Sequence, residues 1–264
     1  MTAVVVLLLQ ACASQVPEPV PAHESFDLAS TVLGESRKIN VYLPPDYAGS
    51  AQAYPVLYMP DGGVREDFPH IATTLDDGIR AGRMQPLILV GIENIQRRYD
   101  LSPPTQVESD ATIAPRVGGA PSFRRFLAEE LKPHIGKTYR ITEASGIVGE
   151  SLAGLFILDS FFAQPDLFDT WIALSPSLWW NDAHLVKQAE AVLAQHPDLR
   201  GRIYLSHADE TDIVPHATTL AEILSRAAPE GLETIYQPRI DLTHGTIYRA
   251  VAPQALPLMY PAGK

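Results

Sequence analysis

Apolar residues in this chain fall into short unbroken runs that alternate with stretches where they recur every three or four positions. The run Tyr54-Pro55-Val56-Leu57-Tyr58-Met59 is apolar on both faces, as a strand buried between two layers must be. Runs at 86–91, 147–148, 169–174, 202–206 and 233–237 read as further strands. Between them, helical spacing is seen at 68–80, 122–139, 152–162, 184–196 and 216–228, and a last helix starts at Thr246. In 122–139 the face is Phe123, Phe126, Leu127, Leu131 and Ile135, and Pro133 inside it predicts a kink. Ahead of this alternation, segments 25–31 and 37–43 flank the turn Leu33-Gly34-Glu35-Ser36 and predict an antiparallel hairpin. Strand followed by helix from residue 54 onward means an α/β fold, a mostly parallel twisted sheet with helices on both faces. The whole of 25–264 reads as one domain. Between Leu174 and Arg202 there is room for a loop and one helix, so no large cap domain is expected. The segment 93–121 breaks the pattern with four prolines and reads as an irregular loop of the kind that carries function.

Composition narrows the class. The chain has 264 residues, 46% of them hydrophobic, enough for one sizeable core. Acidic residues outnumber basic ones 31 to 20, a net charge of −11 that argues against nucleic acid as a partner. Arg97, Arg98 and Arg116 form a local basic cluster within that acidic chain. The only cysteine, Cys12, closes a short apolar run, Ala3 to Leu9, in the context Leu9-Gln10-Ala11-Cys12. This resembles a bacterial lipoprotein signal over residues 1–11, with Cys12 lipidated and 12–24 as a Pro- and Val-rich tether. The run is too short to span a bilayer. Met1-Thr2 supplies no basic n-region, so the complete signal is expected to begin upstream. The expectation is an exported protein on the periplasmic side of a membrane, anchored by lipid at Cys12, with no intrachain disulfide.

The chemistry points to one stretch, Ile147-Val148-Gly149-Glu150-Ser151-Leu152-Ala153-Gly154. An apolar strand end, a serine between small residues and a helix start together describe a nucleophile elbow, with Ala153 where a second glycine usually stands. A serine hydroxyl needs a base, and the base needs an acid to hold its tautomer. His244, in the turn Thr243-His244-Gly245-Thr246 after the last strand, has the right place in the chain order for the base. The acid belongs after the penultimate strand, where Asp209, Glu210 and Asp212 crowd together. Position relative to the strand end favours Glu210, with Asp209 and Asp212 as rivals and Asp241 weaker. Pro60-Asp61-Gly62-Gly63-Val64 follows the strand that ends at Met59, where a second oxyanion donor is expected.

Taken together, the elbow, the segment Ser175-Pro176-Ser177-Leu178-Trp179-Trp180, the Thr243-His244-Gly245-Thr246 turn, the strand end Tyr58-Met59-Pro60-Asp61-Gly62-Gly63 and Gly91-Ile92-Glu93-Asn94 with Arg97 and Asp100 resemble the α/β-hydrolases. The branch resembled is that of esterase D, the ferric enterobactin esterases and the mycolyltransferases. The resemblance implies an α/β-hydrolase fold, Ser151 as nucleophile, His244 as base, Glu210 as acid, and the N–H groups of Leu152 and Gly63 as oxyanion donors. It implies a small-molecule ester as substrate and no cofactor or metal. Within it, Arg97 and Arg98 with Trp179 and Trp180 are the expected substrate contacts, suited to an anionic ferric catecholate lactone, although the charge of −11 repels such a ligand at long range and small acyl or aromatic esters are an equal alternative. An acyltransferase of the mycolyl type and a non-catalytic binding lipoprotein are the competing readings.

Overall fold

The computed structural model describes residues 20–263. Cys12 and the apolar run before it lie outside the described residues. The chain opens with the predicted hairpin, β1 (His23–Ser30) and β2 (Glu35–Tyr42), antiparallel in register from His23 opposite Tyr42 to Ser30 opposite Glu35. β1 thus takes two residues of the expected tether into the sheet. β3 (Tyr54–Met59), α1 (Phe68–Arg80) and β4 (Ile88–Ile92) follow. The segment expected to be irregular contains a short helix, α2 (Arg97–Leu101), and one turn of 3-10 helix at Asp110–Ile113. After it come α3 (Ala120–Phe126), a π-helical turn at Leu127–Leu131 and α4 (Lys132–Thr138). These three run on as one continuous rod, so Pro133 does not act as a simple break. The wider π turn just before it, in which the Lys132 N–H reaches back to the Leu127 carbonyl, gives the ring room.

β5 (Ile141–Glu150) leads into α5 (Leu152–Ala163), and then β6 (Thr170–Leu174), α6 (Trp180–Gln195), β7 (Gly201–Ser206), α7 (Val214–Ala227), β8 (Leu232–Tyr236) and α8 (His244–Met259) complete the chain. The eight strands form one sheet in the order β1-β2-β4-β3-β5-β6-β7-β8. β2 pairs antiparallel with β4, and every pair from β4 to β8 is parallel.

Alternation along the strands sorts the core into two layers. In β3, Val56 and Tyr58 face the layer of α3, α5, α6 and α7, whereas Leu57 and Met59 face α1 and α8. α5 is apolar almost all round and is buried at ten of its twelve positions, so it sits as a central post on the sheet. Sheet order reverses direction on either side of β3. The carboxyl ends of β3 and β5, side by side, therefore make the crevice where α/β sheets place their ligand sites.

Candidate active site

Ser151 sits at the top of β5 with φ 63° and ψ −121°, a left-handed conformation that a non-glycine residue adopts only when its surroundings enforce it. Both neighbours of the turn enforce it. Ser151 N–H donates to the Leu174 carbonyl at 3.0 Å, and the Ser151 carbonyl accepts from Leu155, opening α5, and from Ser177. A Cβ on Gly149 would come within 2.6 Å of the Ala153 Cβ, and one on Gly154 within 3.1 Å of the Leu174 carbonyl. Glycine is required at the first by close approach, and at the second a side chain fits only if its neighbours give way by a few tenths of an ångström. Ala153, fully buried, fits because its methyl lies against the bare Gly149.

His244 opens α8, where Thr243 and Thr246 form a reciprocal capping box. That cap fixes the entry angle of the helix and with it the ring. Nδ1 lies 2.6 Å from Glu210 Oε1, and Nε2 lies 3.0 Å from Ser151 Oγ. Glu210 is buried and its other oxygen accepts from the Ser175 hydroxyl at 3.1 Å. Ser175 in turn accepts from the Ala208 N–H, so the carboxyl is held from two sides of the β6–β7 junction. The rivals are elsewhere: Asp209 and Asp212 are exposed, and Asp241 is paired with Arg239 at 2.8 Å. The chain therefore brings Ser151, His244 and Glu210 into one hydrogen-bonded line. An imidazole placed this way can accept the serine proton while the carboxylate fixes its tautomer and balances its charge.

Leu152 is the first residue of α5, so its N–H has no acceptor within the helix and faces the same end as Ser151. Gly63 departs from expectation. Its N–H donates to Glu66 Oε2 at 2.7 Å, while Glu66 N–H returns to the Gly63 carbonyl. The Glu66 side chain reaches back across its own turn and occupies the donor that was expected to meet an oxyanion.

The expected substrate contacts also resolve differently. Arg97 forms a bidentate pair with Asp61, Nε to Oδ1 at 2.6 Å and Nη2 to Oδ2 at 2.7 Å, so it braces the loop after β3 and is not free for a ligand. Arg98 is exposed and donates to the Ile113 carbonyl, and Arg116 stacks on Tyr99 at 4.2 Å. Trp180 is buried, with Nε1 donating to the Pro103 carbonyl at 2.9 Å, which makes it a tie between α6 and the 102–119 segment. Trp179, half-buried, is the one tryptophan of the pair that reaches the surface. The helix that follows begins with three residues at positive φ, Asn181, Asp182 and Ala183. They are held by Asn181, whose N–H donates to Asp110 and whose side-chain oxygen accepts from Gln106.

Two acidic groups were missed by sequence. Glu150, beside Ser151, is pushed up to about 7, chiefly by burial, with the His244 and Arg97 charges pulling it back. Asp67, in the loop after β3, is pushed up to about 6 by burial and by repulsion from Asp61. The signal for Glu150 was its place next to Ser151, which puts its side chain on the ring's side of the turn. Among the described residues, no group of three or more His, Cys, Asp or Glu is arranged to hold a metal ion.

Comparison with known proteins gives this geometry a setting. The model of the esterase family, described as "Putative esterase", matches residues 30–234. The ferri-bacillibactin esterase of Bacillus subtilis is 32% identical over 181 residues, 59% of this chain and 59% of that protein. The siderophore triacetylfusarinine C esterase of Aspergillus fumigatus is 29% identical over 191 residues, 66% of this chain and 62% of that protein. In both cases the match spans less than two thirds of the relative's length. The crystal structure of an IroE-like serine hydrolase from Shewanella oneidensis superposes with a TM-score of 0.80 at 25% identity, covering 89% of this chain and 79% of that one.

Proposed function

Since the chain belongs to this esterase family, we propose that it is a serine carboxylic-ester hydrolase working through Ser151, His244 and Glu210. The observation that carries the reading is the imidazole of His244, bonded at Nδ1 to Glu210 and at Nε2 to Ser151. Ser151 Oγ attacks the ester carbonyl as its proton passes to Nε2. The proton then goes to the departing alkoxide, leaving an acyl-enzyme. Water, deprotonated by the same nitrogen, releases the acid and restores the serine. The Leu152 N–H meets the oxyanion from the elbow, and the Gly63 N–H meets it from the loop after β3 once Glu66 lets go.

The substrate we propose is a siderophore-type ester, because two relatives that match over this region are named as esterases of such compounds. The exposed Arg98 and Arg116 and the half-buried Trp179 are the remaining surface groups of the expected ligand face. The experiment is a hydrolysis panel: nitrophenyl esters of several chain lengths, a feruloyl ester, a ferric catecholate lactone and a ferric hydroxamate ester. Turnover of the iron-bound esters well above the simple ones is the expected result. Preference for short nitrophenyl esters alone would leave a general esterase. We further propose an envelope location with a lipid anchor at Cys12, supported by the apolar run that precedes it. Cys12→Ser in a precursor with a complete signal should lose palmitate labelling, and labelling that persists refutes the anchor.

A further inference from the structure

The residue just before the nucleophile aims its carboxyl at the same imidazole. Glu150 Oε1 lies 3.2 Å from His244 Nε2, and 17% of the Glu150 side chain is exposed. Yet that oxygen is buried and accepts no hydrogen bond, because Nε2 is directed at Ser151 Oγ. A buried carboxylate oxygen left without a donor is unfavourable in the resting protein. Such an atom is matched to a positive charge that exists only part of the time. His244 acquires one whenever it holds the serine proton.

We propose that Glu150 is a second counter-charge for the His244 imidazolium, acting beside Nε2 while Glu210 acts at Nδ1. The inference rests on the triad reading above. As Oγ bonds to the carbonyl carbon, its proton moves to Nε2 and the ring becomes cationic, 3.2 Å from a carboxylate that was waiting unpartnered. Glu150 takes up no proton in this step, and the proton leaves Nε2 for the alkoxide as before. An interaction that is strong with the imidazolium and weak with the neutral ring favours the transition state over the ground state.

The groups facing this carboxyl come from three elements. His244 and the buried Tyr248 hydroxyl lie on α8, Arg97 on α2, and Asp61 and Asp67 in the loop after β3. Arg97 is paired with Asp61 and attracts Glu150 equally in every state, so His244 is the facing cation whose charge changes during the reaction. Burial keeps Glu150 ionised only above about 7, and the assistance should fade below that. The wild-type acid limb then belongs to the coupled pair and not to His244 alone.

Two measurements test this, one of which needs no activity. In Ser151→Ala protein, the His244 ring is titrated by NMR with and without Glu150→Gln. The midpoint should fall by about one pH unit when the carboxylate is removed. In the active enzyme, Glu150→Gln should lower kcat about tenfold, the same coupling read through the transition state, with KM little changed. The acid limb of kcat/KM should move to lower pH. A merely structural Glu150 would lower Tm or kcat without moving either titration. An unchanged midpoint, or a kcat that holds or rises, overturns the proposal. Should Glu150→Gln fail to fold, Glu150→Asp, which draws the carboxyl back from the ring, should shift the midpoint the same way by less. If wild-type protein hydrolyses no ester, the triad reading fails while the NMR comparison still decides the coupling.

Discussion

The two turns that enclose the site are held by different physics. The elbow after β5 is fixed by shape. Ser151 is forced to positive φ, and the fit around it depends on the missing side chains of Gly149 and Gly154. The turn after β3 also contains a strained residue, Asp61 at φ 58°, but charges hold it. Asp61 takes a bidentate Arg97 and accepts from Asn94 Nδ2 at 2.5 Å, and Glu66 takes Asn94 and the Gly63 N–H. Steric fit depends little on salt or pH, whereas ion pairs and carboxylate hydrogen bonds depend on both. Salt and pH should therefore act on the packing of the loop after β3 more than on that of the elbow.

The sharpest break is on the side of the elbow. Ser151→Ala should fold normally and lose esterase turnover by about 10⁴-fold or more. A variant that keeps a tenth of wild-type turnover would remove Ser151 from the nucleophile's role. Glu210→Gln comes next, with a loss on the order of 10² to 10⁴ in kcat and little change in KM, because an amide cannot balance the imidazolium. Asp209→Asn and Asp212→Asn, exposed and solvated, should each cost less than about threefold, since screened charges act weakly at a distance. Equal losses from all three would mean that the buried carboxyl is not special.

On the side of the loop after β3 the effects should be smaller but salt-sensitive. Arg97→Ala leaves Asp61 buried without its partner, and a loss of about 10- to 100-fold in kcat/KM is expected as the loop relaxes. Arg97→Lys should recover part of this, because an ammonium cannot reproduce the bidentate pair. Neither change should alter the geometry of the elbow, which a serine-directed phosphonate probe reads as unchanged labelling stoichiometry. Loss of labelling together with activity would show that the two turns are not independent.

This contrast also explains what the sequence disclosed. Ser151 was legible because the elbow is local: glycine, serine and alanine spaced along a single strand-to-helix turn. His244 and Glu210 were legible by their order after strands, since a parallel sheet brings consecutive carboxyl ends together. The loop after β3 was not, because its partners Asn94 and Arg97 come from the segment after β4, 33 and 36 residues along the chain from Asp61, with no spacing that marks the pairing. The basic cluster invited a ligand role, yet Arg97 is spent on Asp61, a pairing visible only once α2 is folded over the sheet. Trp179 and Trp180 are adjacent in sequence and tilted apart at 52°, so one is core and the other rim. Ser175, which holds the Glu210 carboxyl in place, sat within a recognised segment, but that contact needed the third dimension.

The smallest expected effect concerns the donor that Glu66 occupies. In the resting protein three donors converge on this carboxylate, the Gly63 N–H at 2.7 Å, Asn94 Nδ2 at 2.9 Å and the Asn94 N–H at 3.4 Å. A glutamine at this position offers one acceptor oxygen to these donors, and Asn94 is also tied to Asp61 and cannot readily turn away. Glu66→Gln should therefore loosen the hold on the Gly63 N–H and remove a negative charge from beside the developing oxyanion. The expected outcome is a two- to fivefold rise in kcat, a few tenths to about 1 kcal/mol of barrier, accompanied by a loss of about 1 kcal/mol in stability as the turn weakens. Ser151→Ala in the same background should remain inactive, so that the gain is tied to the triad. If kcat instead falls in step with stability, the Gly63 N–H serves the turn and not the oxyanion. The Leu152 N–H would then need a different partner from the loop after β3, one that structures with a bound phosphonate adduct would identify by its contact to the phosphoryl oxygen.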